Sequence, residues 1–396
     1  MTTQDGQKLS LQLIIILGAI GALTPLAIDM YLPAMPTIAR DLAVNPSLVQ
    51  TTLTAYTAGF AIGQLLHGPL ADSYGRKPIL IIGVIAFAIA AMFSATSQGI
   101  VELTWVRAAQ GFAGAAAAVI IQALVRDMFE REEFARMMSF ITLVMTIAPL
   151  IAPMLGGYLS VWFGWRSIFW VLAGFAILIV IAVVFRIPET LPPEKRLPFH
   201  LGSTLRNYAK MLTTPTAVGL IFCSGFSFAG MFTFLTVGSF VYIDLYNVST
   251  EHFGLLFGLN VVCLILMTSI NGRLVKKMGS HWMLRFGLII QLIAGIGAIL
   301  GQVLGLGLWG VVIPVMLFVG TISIIGSNTM ACLLAKYPHM AGTASSLAGT
   351  MRFGTGTVVG GLVALMHNSS AWPMAITMAL CAFLSAGFYW FLSRDA

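Results

Sequence analysis

The sequence predicts an all-α integral membrane protein, with twelve transmembrane helices in two six-helix pseudo-symmetric halves. Three observations predict it. Only 9% of the 396 residues are charged and 58% are hydrophobic, against about 25% charged in soluble domains. Runs such as Ile79 to Phe93 and Val171 to Phe185 are solidly apolar, whereas a membrane barrel alternates over segments of roughly ten residues. The basic residues, finally, gather on one side of the implied topology.

Taken in order, the spans fall near 11–35, 50–71, 78–97, 101–125, 136–160, 166–186, 215–242, 251–275, 282–303, 309–334, 342–366 and 372–393. Each is long enough for the roughly 20 apolar residues that a bilayer demands. The first is too long, and too closely followed by others, for a cleaved signal peptide. With the N-terminus inside, Lys8, Arg76, Lys77, Arg126, Arg131, Arg136, Arg186, Lys195, Arg196 and most later basic residues fall on inside segments. Only Arg40 and Arg166 fall outside. The positive-inside rule then places both termini in the cytoplasm. The formal charge of +7 therefore records topology, not a nucleic-acid partner.

The longest polar interval runs from Pro188 to Thr214 and carries Pro188, Pro192 and Pro193. It divides the chain into an N-terminal six-helix bundle, 1–187, a cytoplasmic linker, 188–214, and a C-terminal six-helix bundle, 215–396. A constant shift of 204 carries Gly68, Leu70, Gly75, Leu80 and Gly83 onto Gly272, Leu274, Gly279, Leu284 and Gly287, and Gly156-Gly157 onto Gly360-Gly361. Such an echo marks a six-helix unit duplicated in parallel.

Asp29 is the one acid well inside a span, and an intramembrane acid is expensive enough to mark a functional site. Burial raises a carboxyl pKa and a nearby cation lowers it, a competition that lets one Asp load and release a proton. Arg107, in span four at similar depth, is the expected cation. The alternative is a static ion pair, or two side chains reaching outward to water.

The turn Gly68-Pro-Leu-Ala-Asp72-Ser-Tyr-Gly75-Arg76-Lys77 joins spans two and three. Asp72 is expected to meet the start of span eleven near Gly342, and Arg76 to reach Asp127. In span five, Pro149 and Pro153 each remove a backbone donor and bend the helix, while Gly156 and Gly157 admit a close neighbour. Packing alone explains that pattern equally well.

For a binding cavity the candidates are Phe228 and Phe232, one turn apart in span seven, with Asn260 and Asn328 as polar groups in spans eight and ten. Each also reads as a packing residue. Arg352, inside span eleven, is expected to line the cavity and hold an acceptor-rich ligand, or to stack on a ring, or to bond carbonyls of a broken helix. The 21 Met and 26 Phe provide the adaptable surface of promiscuous sites. Cys223, Cys263, Cys332 and Cys381 stand singly in four spans, so neither a disulfide nor a metal centre is expected. Gly305 to Gly310 lacks the strand and following acid of a dinucleotide loop, and no P-loop occurs. No cofactor and no catalytic residue are predicted, and the chain does not read as an enzyme.

Several of these segments resemble one family. Gly68 to Lys77 resembles the loop motif of the major facilitator superfamily, and Arg107-Ala-Ala-Gln110-Gly111 its fourth-helix motif. Ala148-Pro149, Ala152-Pro153 and Gly156-Gly157 resemble the fifth-helix motif of its proton-coupled exporters. Together with Asp29-Met-Tyr-Leu-Pro33-Ala-Met-Pro36, the set is similar to the Bcr/CflA branch of drug:proton antiporters. This chain departs from the pattern with Ala148 and Ala152 where glycine is frequent, and with Gly21 and Thr24 where some relatives carry a second acid. The resemblance implies a monomeric antiporter in the bacterial inner membrane, exporting a small amphiphilic drug such as bicyclomycin against protons by alternating access. Asp29 and Arg107 would be its proton-coupling residues, and Gly68, Asp72, Gly75, Arg76 and Asp127 its cytoplasmic latch. A proton-driven metabolite symporter shares the fold-level signals, but the fifth-helix pattern argues against it. A receptor would need an extramembrane domain, and an enzyme paired acids or metal ligands.

Overall fold

The computed structural model describes residues 11–129, 131–196, 201–337, 341–366 and 370–394; Lys8 lies outside them. The described residues form helices and no strand. In chain order these are α1 (Leu11–Asp29), α2 (Met35–Asp41), α3 (Pro46–Tyr74), α4 (Arg76–Thr96), α5 (Ile100–Met128), α6 (Arg131–Phe163), α7 (Arg166–Arg186), α8 (Leu201–Leu212), α9 (Pro215–Ser239), α10 (Thr250–Met278), α11 (Ser280–Val303), α12 (Trp309–Gly320), α13 (Ile322–Lys336), α14 (Ala341–Leu365) and α15 (Trp372–Leu392). α1 and α2 are one span joined by a 3-10 turn, Leu32–Ala34, and α12 and α13 are one span bent at Thr321. Setting α8 aside, the helices make twelve crossings in two sets of six.

Among the described residues, ten of these spans are long and apolar enough to cross a bilayer on composition alone. α3 and α14 are not among them. α3 carries Gln50, Gln64 and His67, and α14 is rich in glycine and threonine and holds Arg352. The two tolerate polarity because they pack on each other between the halves: the Thr357 hydroxyl lies 3.0 Å from that of Thr57, and the Phe60 and Phe353 rings are 4.6 Å apart. Elsewhere lipid-facing stripes are apolar. Ile82, Ile85, Ile89 and Phe93 line one exposed face of α4, at the spacing of a single helical stripe.

The first span outruns its expected end at 35. Pro33 and Pro36 sit in the first turns of the 3-10 segment and of α2, where the missing donor has no helical role, so the chain restarts as a short helix. The linker also holds a helix that the polar interval conceals. α8 turns Tyr208 and Met211 inward, and the Tyr208 hydroxyl donates to Ser346 of α14 over 2.8 Å.

α3 and α5 are pressed together. A Cβ on Gly111 would overlap the Tyr56 carbonyl, and one on Gly59 the Ala108 carbonyl. α6 approaches the first span in the same way, with Gly156 directly over the Met30 carbonyl. Contacts between the halves gather toward the end opposite the basic residues. There Gly157 faces Thr250, Gly254 faces Met154, and Arg40 pairs with Asp244 at 3.0 Å.

Gly111→Leu is expected to lower stability by about 3 kcal/mol or more, because a backbone contact cannot yield to a side chain. Gly174→Ala, where a Cβ meets nothing within 4 Å, serves as control and should stay within about 1 kcal/mol. Thermal unfolding of both purified variants in detergent checks this.

Candidate functional site

Asp29 is the last residue of α1, where the helix gives way to the 3-10 turn. Tyr31 N–H donates to the Ile28 carbonyl, so the Ala27 carbonyl loses the partner that a continuing helix would provide. Arg107 supplies the replacement. From α5 its Nη2 donates to the Ala27 oxygen over 3.2 Å, and its Nη1 to Gln110 Oε1 over 2.7 Å. The side chain is fully buried. Its guanidinium carbon lies 4.3 Å from the centre of the Tyr56 ring, 4.7 Å from that of Tyr31 and 5.7 Å from that of Phe169. The Tyr56 hydroxyl donates to Thr24 and the Tyr31 hydroxyl pairs with Thr52 at 2.6 Å, which fixes both rings. Arg107 Nε has no partner among the described residues.

The alternative of a static Asp29–Arg107 ion pair is not what forms. Arg107 is held by rings, an amide and a carbonyl instead. Asp29, only 6% exposed, has no ion pair or hydrogen bond to any described residue. Arg107 meets α1 at the Ala27 carbonyl, two residues before Asp29, and no contact joins its guanidinium to the acid. Tyr31, Tyr56 and Phe169 escape sequence reasoning because ring-on-cation contacts join three different spans.

Arg352 stacks on Phe228, its guanidinium carbon 4.8 Å from the ring centre, and its Nε is buried without a partner among the described residues. Phe228 stacks on Phe232 at 6.2 Å and meets the edge of Phe353, whose ring in turn meets Phe60. Rings from α9, α14 and α3 thus run between the halves beside a cation. Asn260 is 1% exposed, with neither amide atom satisfied among the described residues. Asn328 belongs elsewhere. It donates to Asn271 Oδ1 and to the Ile324 carbonyl, both at 2.8 Å, fastening α13 to α10. Gly326, two residues earlier, is the one that faces Arg352, and two residues turn a helix by about 200°.

At the basic end Arg76 pairs with Asp72 at 2.6 Å and with Asp127 at 3.4 Å. Glu189 joins this cluster without a signal in its spacing. Its carboxylate accepts from the Arg76 and Lys77 backbone N–H groups at 3.0 and 3.2 Å, capping α4. Gly75, at φ 106°, makes the turn that a side chain resists, and a Cβ there would crowd Glu189. Gly68 meets only ordinary contact. Asp72 bonds to Arg76 and closes the turn within the first half; the side chains at 341–343, where span eleven begins, lie outside the described ones. In α6 the helix stays continuous through Pro149 and Pro153, with Gly156 seated on Met30 and Gly157 on Thr250. The four cysteines are buried and unpaired, and no group among the described residues is arranged to hold a metal ion.

This arrangement, helical spans in paired sets of six with charges buried between them, has relatives. The family model described as Major Facilitator Superfamily matches residues 17–361. The chain belongs to the major facilitator superfamily. It is 43% identical to a bicyclomycin resistance protein homolog of Haemophilus influenzae, over 98% of this chain and 97% of that one. It is 27% identical to a chloramphenicol resistance protein of Pseudomonas aeruginosa, over 92% and 86%. Among solved structures, a D-xylose-proton symporter superposes with a TM-score of 0.75 at 17% identity, covering 96% of this chain and 97% of that one, which shows the shared fold. As a member of this superfamily the chain is a multi-pass membrane transporter and not an enzyme.

Arg107→Lys keeps the charge but loses the planar fork that reaches Gln110 and Ala27 together. Transport by this major facilitator protein is expected to fall roughly tenfold or more, the equivalent of one charge-assisted hydrogen bond. Efflux measured in cells matched for protein level checks it.

Proposed function

We propose that this chain is a drug:proton antiporter of the bacterial inner membrane, with both termini cytoplasmic, working as a monomer by alternating access. The observation that supports it best is Asp29, a carboxyl group buried within a span and bonded to no described residue. A carboxyl already locked in an ion pair would resist protonation; a free one changes charge when the surroundings change. Protonated, Asp29 is neutral within the span; ionised, it places an unpaired negative charge at the break in α1. Cargo arriving from the cytoplasm favours proton release, and a proton entering from outside favours cargo release.

The resistance named for the relatives supports drugs as cargo. Arg352 over Phe228, with Phe232, suits a small amphiphile rich in acceptors, such as bicyclomycin: rings bind its apolar face and the guanidinium its oxygens, and the unsatisfied Asn260 amide is a separate candidate contact. The bundles 1–187 and 215–396 rock about this centre, with 188–214 as their cytoplasmic linker. Gly156 and Gly157 hold α6 against Met30 and Thr250, so movement at the α1 break is passed to the contact between halves. Gly68, Asp72, Gly75, Arg76 and Asp127, with Glu189, form a cytoplasmic latch that braces the first half as one body.

Asp29→Asn is expected to abolish drug-driven proton release from purified protein at every pH from about 6 to 8, a range that wild type spans with measurable release. Protein yield should be unchanged. Proton release persisting in the variant would overturn the coupling role.

A further inference from the structure

The chain repeats at a shift of 204 residues, and two contacts join residues that far apart. Arg40 Nη1 lies 3.0 Å from Asp244 Oδ1, and the Ser239 hydroxyl donates to the Met35 sulfur at 3.9 Å. Positions equivalent under a two-fold relation touch only where they straddle its axis, as in an isologous interface. The pseudo-axis between the halves therefore passes between Met35 and Ser239, and then between Arg40 and Asp244. At that end of the molecule these four residues stand across the path a cargo would take outward.

Beside them is a cavity of about 370 Å³, lined by Gln50, Ser47, Asp244, Phe240, Val241 and Met374, among others. Its size falls within the range of small-ligand sites. Gln50 is only 8% exposed and faces the cavity, yet its amide has no hydrogen-bond partner among the described residues. That amide opens onto the cavity, where a ligand amide or hydroxyl can bond to it. Asp244 lies in a π-helical turn, Phe240–Leu245, a geometry that recurs at functional sites. Its charge is already balanced by Arg40, and the remaining walls are mostly apolar, so the cavity favours uncharged molecules over ions.

We propose that this cavity is an outer subsite of the transport path, holding a compact, uncharged amphiphile with amide or hydroxyl groups before release. The Arg40–Asp244 pair is the bar that must part for the cargo to leave. The proposal rests on the export reading above but names a site that the reading does not contain. Both side chains of the pair are well exposed, 61% and 42%, and an ion pair in that setting is weak. It closes the exit without locking it.

The test uses Ser47→Cys as a reporter in intact cells, labelled with a membrane-impermeant maleimide; the native cysteines are buried. Adding Asp244→Asn or Arg40→Gln is expected to speed labelling about two- to fivefold, the worth of one exposed ion pair. The exchange Arg40→Asp with Asp244→Arg should restore the slow rate. In the Asp244→Asn background, bicyclomycin or chloramphenicol should slow labelling, and Gln50→Leu should remove that protection. Labelling indifferent to the pair, protection by neither compound, or protection that survives Gln50→Leu overturns the proposal. Failure of wild-type cells to export either compound would instead overturn the cargo reading, and efflux from the same cells separates the two.

Discussion

A guanidinium buried in a bilayer has to be stabilised by something, and how Arg107 is stabilised organises the first half of the molecule. Insertion scales put the cost of a central Arg at about 2.5–3.5 kcal/mol. A desolvated ring contact returns about 0.5–2 kcal/mol, and a charge-assisted hydrogen bond about 1.5–3 kcal/mol. Tyr31, Tyr56, Gln110 and the orphaned Ala27 carbonyl therefore suffice together, and no carboxylate is required. That leaves Asp29, two residues beyond the Ala27 carbonyl in α1, uncommitted. The arrangement depends in turn on the glycines of α3 and α5, since without Gly59 and Gly111 the helices stand too far apart for Tyr56 to reach the guanidinium.

Much of this architecture is legible in the order of residues. Solid apolar runs separated by short polar turns mark ten of the twelve spans, because a bilayer sets their length, while α3 and α14 are too polar to show in that way. Boundaries are less legible where proline looks like an end: at Pro33 and Pro36 the chain pauses and starts again. α8 is hidden for a different reason. Its apolar residues, among them Tyr208 and Met211, are spaced for a helix lying along a surface, and a scan for apolar runs passes over such a pattern.

The candidate site is legible in its charges and obscure in its contacts. Asp29, Arg107 and Arg352 stand out because charge within a span is rare. Which groups hold them is not readable, since Tyr31, Tyr56 and Phe169 come from spans far apart in the chain and look like ordinary apolar filling. Glu189 escapes because it follows the sixth span in a segment rich in proline and charge, where an acid draws no notice. Asn328 misleads for the opposite reason: a polar residue deep in a span reads as a cavity group, whereas here it is spent on Asn271, fastening two helices.

The internal repeat sharpens the division of labour. Gly75 and Gly279 are related by the shift of 204 and both turn at positive φ, 106° and 83°, so the scaffold is duplicated down to its turns. The charged groups are not. The shift carries Asp29 onto Thr233, Arg107 onto Val311, and Arg352 back onto Ala148, so each half holds buried ionisable groups that the other lacks. The two-fold between parallel halves runs along the membrane normal and carries each state onto itself, so it is the charges, not the frame, that distinguish one half from the other. A proton or cargo bound at charges held in one half shifts the balance between states only by its differential affinity for them.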